Sequence, residues 1–566
     1  MKPSTTVRWL FRGLALGLGL AQIVVGRNTI GPDARSYLEI ARAILRHDWA
    51  MTISAYWSAM YPWLLAAVLG IVRPSLRWEF PAAHALAFPV LVAGIASFEF
   101  FWGGLLRLRE LNTARLRLSS PPIPQTQMWV LGYSLFIWLT VGDVILPINP
   151  DLCVITLVLL QAALLLRIEI SESDRRSLYL WFGFCLGLGY LVKAILFPMA
   201  FVFLGVMIVV SGRHHRERMR GFALAFLIFI FVVSPEIALL SRSKGRLTFS
   251  DTGKLALDWY TYNLPLRNWQ GDPPGTGTPV HPTRKIYERP AVYEFNGPLR
   301  SSYPPWYDPS YWNEGLSPAF DLKAIARHSL LQILELGVTL LHPKAWAIGI
   351  LLILIGCDPR ETFKGIAALR HLALISAVAF VLYCLTLVQS RYLAPWLLLL
   401  WGAVLSGVRL RRAIAPLYLW VTVLVSLVLI ASVGYLVYGE SIHGFHNDVS
   451  ADYSTAEGLR KMGLRPGEKV AAIGYDNDAY WAYLLRLSIV AEINTDETCL
   501  FWSEPPTVQT RVLEKFIQAG ASVAVANTGG GVRSTSGAQI DLAKCSRPGE
   551  GWRKIDGSPN HAFFLK

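Results

Sequence analysis

The sequence predicts an α-helical polytopic membrane protein with about eleven transmembrane helices and a small C-terminal α/β domain outside the membrane. Three observations carry that prediction. Of 566 residues, 53% are hydrophobic and 16% are charged; an ordinary soluble domain carries about 25% charged residues. Apolar runs long enough to cross a bilayer recur along most of the chain. Basic residues cluster in the short gaps between those runs, and they supply a net charge of +14.

The elements follow in chain order. Residues 1–25 look like a signal peptide, with Lys2, Arg8 and Arg12 before an apolar stretch. No A-x-A cleavage pattern follows, so the stretch reads as an uncleaved first span. Further candidate spans lie near 83–106, 128–146, 150–167, 178–194, 195–212, 221–240, 344–357, 371–388, 393–408 and 415–438, by the rule of about 17–25 apolar residues per helix. With the N-terminus inside, the basic clusters at Arg107–Arg117, Arg213–Arg220 and Arg409–Arg412 all fall inside, as short Lys/Arg-rich cytoplasmic loops should. The clusters are separated by spans and form no contiguous basic face, which argues against nucleic acid.

Two shorter apolar segments, 59–72 and 328–342, are read as helices lying on the outer face. The expected membrane domain covers 1–438, with outside loops at 26–82 and 241–343. In the first loop, Asp33 precedes a segment with Tyr37, Leu38, Ala41, Ile44 and Leu45 on one helical face and Arg35, Glu39, Arg42 and Arg46 on the other. That pattern predicts an interfacial amphipathic helix with Asp33 at its N-cap and Glu39–Arg42 as a surface pair. The second loop holds FSDTGKLALDWYTYN, GTGTPVHPTRK and YPPWYDPSYWNEG. Its aromatic side chains suit either stacking on a sugar or packing among themselves.

Residues 446–566 change character. Short apolar runs at KVAAIG, SIVAEI and SVAVAN alternate with helical stretches at 478–487 and 507–519, which predicts an α/β domain. It has no Gly-rich phosphate loop. Cys153, Cys185, Cys357 and Cys384 lie in or at the end of apolar runs and read as buried hydrophobes. Cys499 and Cys545 fall in the C-terminal domain, where a disulfide is permitted. No N-x-S/T sequon occurs, which leans toward a bacterial inner membrane.

Ionisable residues at span ends are costly and therefore candidates for function. Asp33, Asp143, Asp151, Lys193 and Arg391 all fall at the outer face in this topology. Carboxylates facing a Lys and an Arg suit lipid-phosphate chemistry. The cations hold an anionic leaving group, and a carboxylate takes a proton from an incoming hydroxyl or holds a metal that does so. Four of these residues have a plainer reading: a helix cap or dipole partner for Asp33 and Asp151, a snorkelling chain for Lys193, an interface anchor for Arg391 beside Tyr392; Asp143 has no motif behind it. His281 and His342 are single and lack metal spacing.

At these residues the chain resembles the GT-C glycosyltransferases. G-P-D-A-R-S-Y at 31–37 and S-A-M-Y-P-W-L-L at 58–65 are similar to the first-loop signature of the protein mannosyltransferase and aminoarabinose-transferase branch. N-P-D-L at 149–152, G-L-G-Y-L-V-K-A at 187–194 and S-R-Y-L-A-P at 390–395 resemble later motifs of that branch, and the likeness covers about 1–410. The chain departs from it in carrying one acid, Asp33, where the mannosyltransferases pair Asp with Glu, and Tyr-Pro in place of His-Pro-Pro. The resemblance implies sugar transfer from a polyprenyl-phosphate donor to a lipid, glycan or protein acceptor, with inversion. It implies Asp33 as base, Asp151 orienting substrate or a divalent cation, and Lys193, Arg391, Tyr392 and Asp143 binding substrate. If a metal is bound, Asp33 and Asp151 are its ligands. Two other readings stand beside this one: a transporter or flippase for an amphipathic substrate, and a non-catalytic assembly protein.

Overall fold

The structure is a computed structural model that describes residues 3–171, 176–210, 215–264, 268–271, 274–281, 283–295, 301–411, 415–443, 449–533 and 539–565. Arg213, Pro282, Arg412 and residues 446–448 lie outside these. The first half is helical: α1 (Pro3–Val25), α2 (Pro32–Leu45), α3 (Met60–Val72), α4 (Glu79–Ala85), α5 (Ala87–Arg115), α6 (Gln125–Ile137), α7 (Asp151–Ile170), α8 (Arg176–Val192), α9 (Leu196–Val210) and α10 (His215–Lys244). The large loop contributes α11 (Thr252–Ala256), β1 (Thr283–Tyr287), β2 (Val292–Phe295) and α12 (Pro304–Tyr307). Then come α13 (Leu322–Leu340), α14 (Lys344–Ile355), α15 (Pro359–Ala367), α16 (Arg370–Cys384), α17 (Ser390–Gly407) and α18 (Ala415–His443). The tail alternates α19 (Ser450–Lys461), β3 (Lys469–Ile473), α20 (Tyr480–Leu485), β4 (Ser488–Ile493), α21 (Thr495–Ser503), α22 (Pro506–Gln518) and β5 (Val523–Ala526). It ends with β6 (Gly531–Arg533), β7 (Gln539–Asp541), α23 (Leu542–Cys545), β8 (Trp552–Lys554) and β9 (His561–Phe564).

The protein is an integral membrane protein. Among the described residues, Thr5–Val25, Leu76–Arg115, Asp151–Ile170, Arg216–Lys244 and Leu417–Ile442 are long and apolar enough to cross a bilayer. The count of 5 becomes 7 if the bent pairs α13–α14 and α15–α16 are each one span. The expected count of about eleven also takes in shorter apolar runs, of which Arg176–Val192 and Leu196–Val210 are helices here. Helix α6 has 13 residues and runs on into a π-helical turn, Trp138–Gly142, and α9 is described over 15 residues; both fall outside that count. Helices α8 and α10 approach closely along Gly183 and Gly187. A Cβ on Gly183 would meet the Ala225 carbonyl, and one on Gly187 would lie 2.6 Å from Val232. Small residues four apart are the usual device for tight helix contact in lipid, where burial supplies no drive.

The strands form one mixed sheet in the order β1-β2-β4-β3-β5-β9-β8, with a separate β6–β7 hairpin. Strand β3 is parallel to β4 and β5, and Val470, Ala471, Ala472 and Ile473 are all buried. A strand covered on both faces reads as a continuous apolar run, as KVAAI does. The large loop supplies two strands to this sheet, since β2 pairs antiparallel with β4. Cys499 and Cys545 form a disulfide that ties α21 to α23.

Helix α2 differs from the expected surface helix. Arg35 is 1% exposed and Glu39 9%, while Leu45 on the expected apolar face is 38% exposed. Glu39 accepts from the Ser302 backbone N at 2.8 Å and from its Oγ. Arg42 pairs with Glu79 instead of Glu39. The polar face is covered because the large loop and the α/β sheet fold over it.

Candidate active site

Five of the six predicted residues reach one cavity of about 420 Å³: Asp33, Asp151, Lys193, Arg391 and Tyr392 all line it. Each arrives by a helix end. Asp33 is the second residue of α2. Pro32 fixes the first helical position, and the N-cap is Gly31 in extended backbone with no side-chain cap bond. Asp33 is therefore not the cap. Its carboxylate faces the cavity from the first turn, where the helix dipole favours negative charge.

Asp151 is the first residue of α7, and its backbone N donates to Asn149 Oδ1 at 3.0 Å, which fixes the N-P-D turn. Asp151 is 3% exposed. Lys193 lies in the break between α8 and α9. Its backbone N closes the last turn on the Gly189 carbonyl, and its carbonyl accepts from Leu196 N to open the next. Lys193 Nζ is 2.5 Å from Asp151 Oδ1, and Arg391 Nη1 is 3.6 Å from Asp151 Oδ2. Arg391 opens α17 after Gln389, which accepts from its Nε at 2.9 Å.

Tyr392 holds the two cations together. Lys193 Nζ lies 3.9 Å and the Arg391 guanidinium 4.8 Å from its ring centre, and Arg391 Nη2 donates to its hydroxyl at 3.0 Å. Its other neighbour is Tyr383, stacked at 5.6 Å. Tyr392 thus acts on the cations, beyond any contact with substrate.

Asp143 is not among the residues lining the cavity; its side chain bonds Ser390, the residue before Arg391. Sequence position placed it with the others because it ends a helical run, but the turn after Gly142 aims it at the start of α17.

The lining contains residues that the sequence reading passed over: Tyr37, Tyr56, Asn149, Lys254 and Tyr260. Tyr37 and Asn149 stood within the quoted motifs, and Tyr56 two residues before one. Lys254 stood in the loop segment DTGKLALDWY without a spacing signal. It adds a third cation to the lining, so Lys193, Lys254 and Arg391 against Asp33 and Asp151 leave one net positive charge. Leu382, Leu385, Leu387, Ile195 and Leu257 form an apolar wall. Most loop aromatics pack among themselves: Trp259, Trp306 and Trp312 are buried, with Trp306 and Trp312 centres 5.0 Å apart.

The two carboxylates do not make a cation site. Asp151 is engaged by Lys193 and Arg391, and among the described residues no three His, Cys, Asp or Glu side chains gather. His281 lies instead beside Asp308, at 3.7 Å.

Burial holds the Asp33 carboxyl above the ordinary aspartate range; Arg391 and Lys193 pull it back down, and Asp151 pushes it up. In the role of base that the sequence leads one to expect of Asp33, the carboxylate is the working form, so turnover should rise with pH along an acid limb whose midpoint lies above the ~3.9 of a free aspartate. Residual turnover of Arg391→Gln should show that limb at still higher pH, since a lowering charge is gone. A pH profile of kcat for both proteins checks this; a limb that stays fixed or moves down removes Asp33 as the titrating group.

No family model matches the chain, and no curated protein matches it in sequence. Among solved structures, the chain has the fold of the GT-C glycosyltransferases. It is similar to ArnT from Cupriavidus metallidurans bound to undecaprenyl phosphate, at a TM-score of 0.53 and 12% identity over 98% of this chain and 97% of that one. The apo state of the same protein gives a TM-score of 0.49 and 12% identity over 95% and 98%. The oligosaccharyltransferase of Archaeoglobus fulgidus in complex with Zn and sulfate gives 0.48 and 12% identity over 91% and 68%.

Proposed function

We propose that the protein is a membrane glycosyltransferase that moves a hexosyl or pentosyl group from a polyprenyl-phosphate donor to an acceptor hydroxyl, with inversion. The observation that carries this reading is the single cavity that a carboxylate, Asp33, shares with the cations Lys193 and Arg391 beside an apolar wall. A prenyl phosphate has both parts of that chemistry, an anionic head and an apolar tail. The fold neighbour crystallised with undecaprenyl phosphate supports the same class of donor.

The reaction is one displacement. Asp33 takes the proton of the acceptor hydroxyl. The acceptor oxygen attacks the anomeric carbon on the side opposite the phosphate, forming the new glycosidic bond. The bond from that carbon to the phosphate oxygen breaks, and its electron pair leaves with the polyprenyl phosphate. Arg391 and Lys193 hold the departing charge, as preorganised donors at a developing anion do. Asp151 orients those two cations. The acceptor is a lipid, a glycan or a protein hydroxyl.

The site is proposed to face the outer side of a bacterial inner membrane, with the N-terminus cytoplasmic. In that arrangement 1–438 is the membrane domain and 446–566 is extracytoplasmic. The alternating basic loops support it, and so does the Cys499–Cys545 disulfide, which suits an oxidising compartment.

The test is sugar release from a radiolabelled panel of polyprenyl-phosphate sugars by the purified protein, with membrane extract as acceptor source. Consumption of one donor is expected; no consumption of any donor would sink the reading. A second variant probes Asp151. Asp151→Asn keeps the shape and frees both cations toward phosphate. Polyprenyl phosphate should then inhibit more tightly, by about tenfold for each ~1.4 kcal/mol gained, while turnover falls because product leaves slowly. Product inhibition constants check this; weaker inhibition would mean that Asp151 holds the cations in place more than it competes for them.

A further inference from the structure

Helix α2 brings Asp33 to the cavity, and its far side is held by segments distant in sequence. Arg35 is two residues from Asp33. Its Nη1 donates to the Asn477 carbonyl at 2.9 Å. Its guanidinium lies 4.9 Å from the Tyr303 ring centre and 5.8 Å from that of Tyr480. Its charge acts on Glu39 of α2, Asp452 of α19, Asp478 in the turn after β3, and Glu492 of β4. Glu492 is fixed in turn by Tyr303 Oη at 3.1 Å and Asn268 Nδ2 at 3.2 Å. The field of one guanidinium thus reaches carboxyls from four elements.

The place it occupies is significant. In an open α/β sheet, ligands bind beyond the carboxyl ends of the parallel strands, where strand order reverses. Strand β3 lies between β4 and β5, so its carboxyl end is that point. Residues 475–478 leave from there, and Arg35 reaches their backbone. The sheet holds a side chain of α2 where a related sheet would hold a ligand. A buried charge of this kind is expensive unless stacked and hydrogen-bonded; Arg35 is stacked and donates through Nη1, while its Nη2 is buried without a hydrogen-bond partner. Burial pushes Asp452 up to about 7 and Glu492 up to about 8, and Arg35 opposes both rises.

We propose that Arg35 is a positioning residue: the α/β sheet grips it at the carboxyl end of its parallel strands and so fixes the pose of Asp33 in the cavity. Two further bonds act with it, Ser36 Oγ to the Trp306 carbonyl at 3.2 Å and the Glu39 carboxylate to Ser302. The inference rests on the proposed transfer reaction for its kinetic readout. The C-terminal sheet then has a defined part in the chemistry without touching substrate.

Arg35→Lys keeps the charge and loses the planar stack and the reach to Asn477. Tyr480→Leu removes one stacking ring from the sheet side and leaves α2 unaltered in sequence. Both are made in the full-length protein. A shift of the base by an ångström can cost about 100-fold, so kcat per donor-binding site should fall by about 10- to 100-fold in Arg35→Lys, and less in Tyr480→Leu. Donor KM should stay within about twofold, because the phosphate cations sit on other elements. Hydrogen exchange should quicken at amides 34–39 with the amides of β3, β4 and β5 unchanged. A variant that loses stability but keeps wild-type kcat per binding site overturns the proposal, and so does exchange that quickens across the whole sheet. If the wild type consumes no donor, the transfer reading fails, and the exchange pattern alone decides on Arg35.

Discussion

Asp33→Asn should lose transfer by about 10²- to 10⁴-fold, the span over which a positioned general base acts, while still binding donor. The substitution is close to isosteric, and the fold gives reason to expect little damage from it. Asp33 makes no cap bond, because Gly31 is the N-cap of α2. Losing a true capping side chain would cost about 1 kcal/mol; losing only a carboxylate in the first turn costs about 0.3–1 kcal/mol through the helix dipole. Burial already opposes the charged form of Asp33, so a neutral amide also relieves desolvation. The protein should therefore melt near the wild-type temperature, bind polyprenyl phosphate with similar affinity and fail in turnover. Radiolabelled donor consumption by the variant, set against donor binding on the same sample, measures both. Full transfer by a folded Asp33→Asn protein would remove the base from the mechanism.

How far the sequence foretold this site depends on what kind of information each residue carried. Asp33, Asp151, Lys193 and Arg391 were legible because charge at a helix end in an apolar chain is costly, and the cost marks position. Asp143 carried the same mark, yet it faces Ser390 and not the cavity, because the mark reports depth and says nothing about direction. The cap of α2 was misassigned for a local reason. Aspartate before a helical pattern is the usual cap, but Pro32 at the first position moved the start back to Gly31.

The larger miss was the polar face of α2. A stripe of Arg35, Glu39 and Arg42 reads as a solvated face, since helical periodicity cannot distinguish water from a distant polar partner. Ser302, Glu79 and Asn477 lie hundreds of residues away or on other helices. The same limit hid β1 and β2. Their pairing with β4 joins the large loop to the C-terminal sheet, and no local pattern announces a partner nearly 200 residues on. The parallel trio β3, β4 and β5 was legible because buried strands advertise themselves as short apolar runs.

Arg391→Gln should cost turnover about 10²- to 10³-fold, as removal of one donor to a developing oxyanion does. The effect should exceed that of Lys193→Met, for three reasons of geometry. A guanidinium offers two parallel N–H groups to a phosphate where an ammonium is a point charge. Lys193 is the more committed of the two, at 2.5 Å from Asp151 against 3.6 Å for Arg391, so it has less to give the leaving group. Arg391 is also anchored twice at its own helix start, by Gln389 and Tyr392, which preorganises it at no cost during reaction. The two losses should not add. Both cations share Asp151 and the Tyr392 ring, and groups with common partners couple by about 0.5–3 kcal/mol. Removing Arg391 leaves Lys193 drawn further into Asp151, so the double variant should be little worse than Arg391→Gln alone. Single-turnover rates of the four proteins measure that coupling. Strict additivity would mean that Lys193 and Arg391 act on separate parts of the substrate, and it would dissolve the single phosphate clamp into two independent contacts.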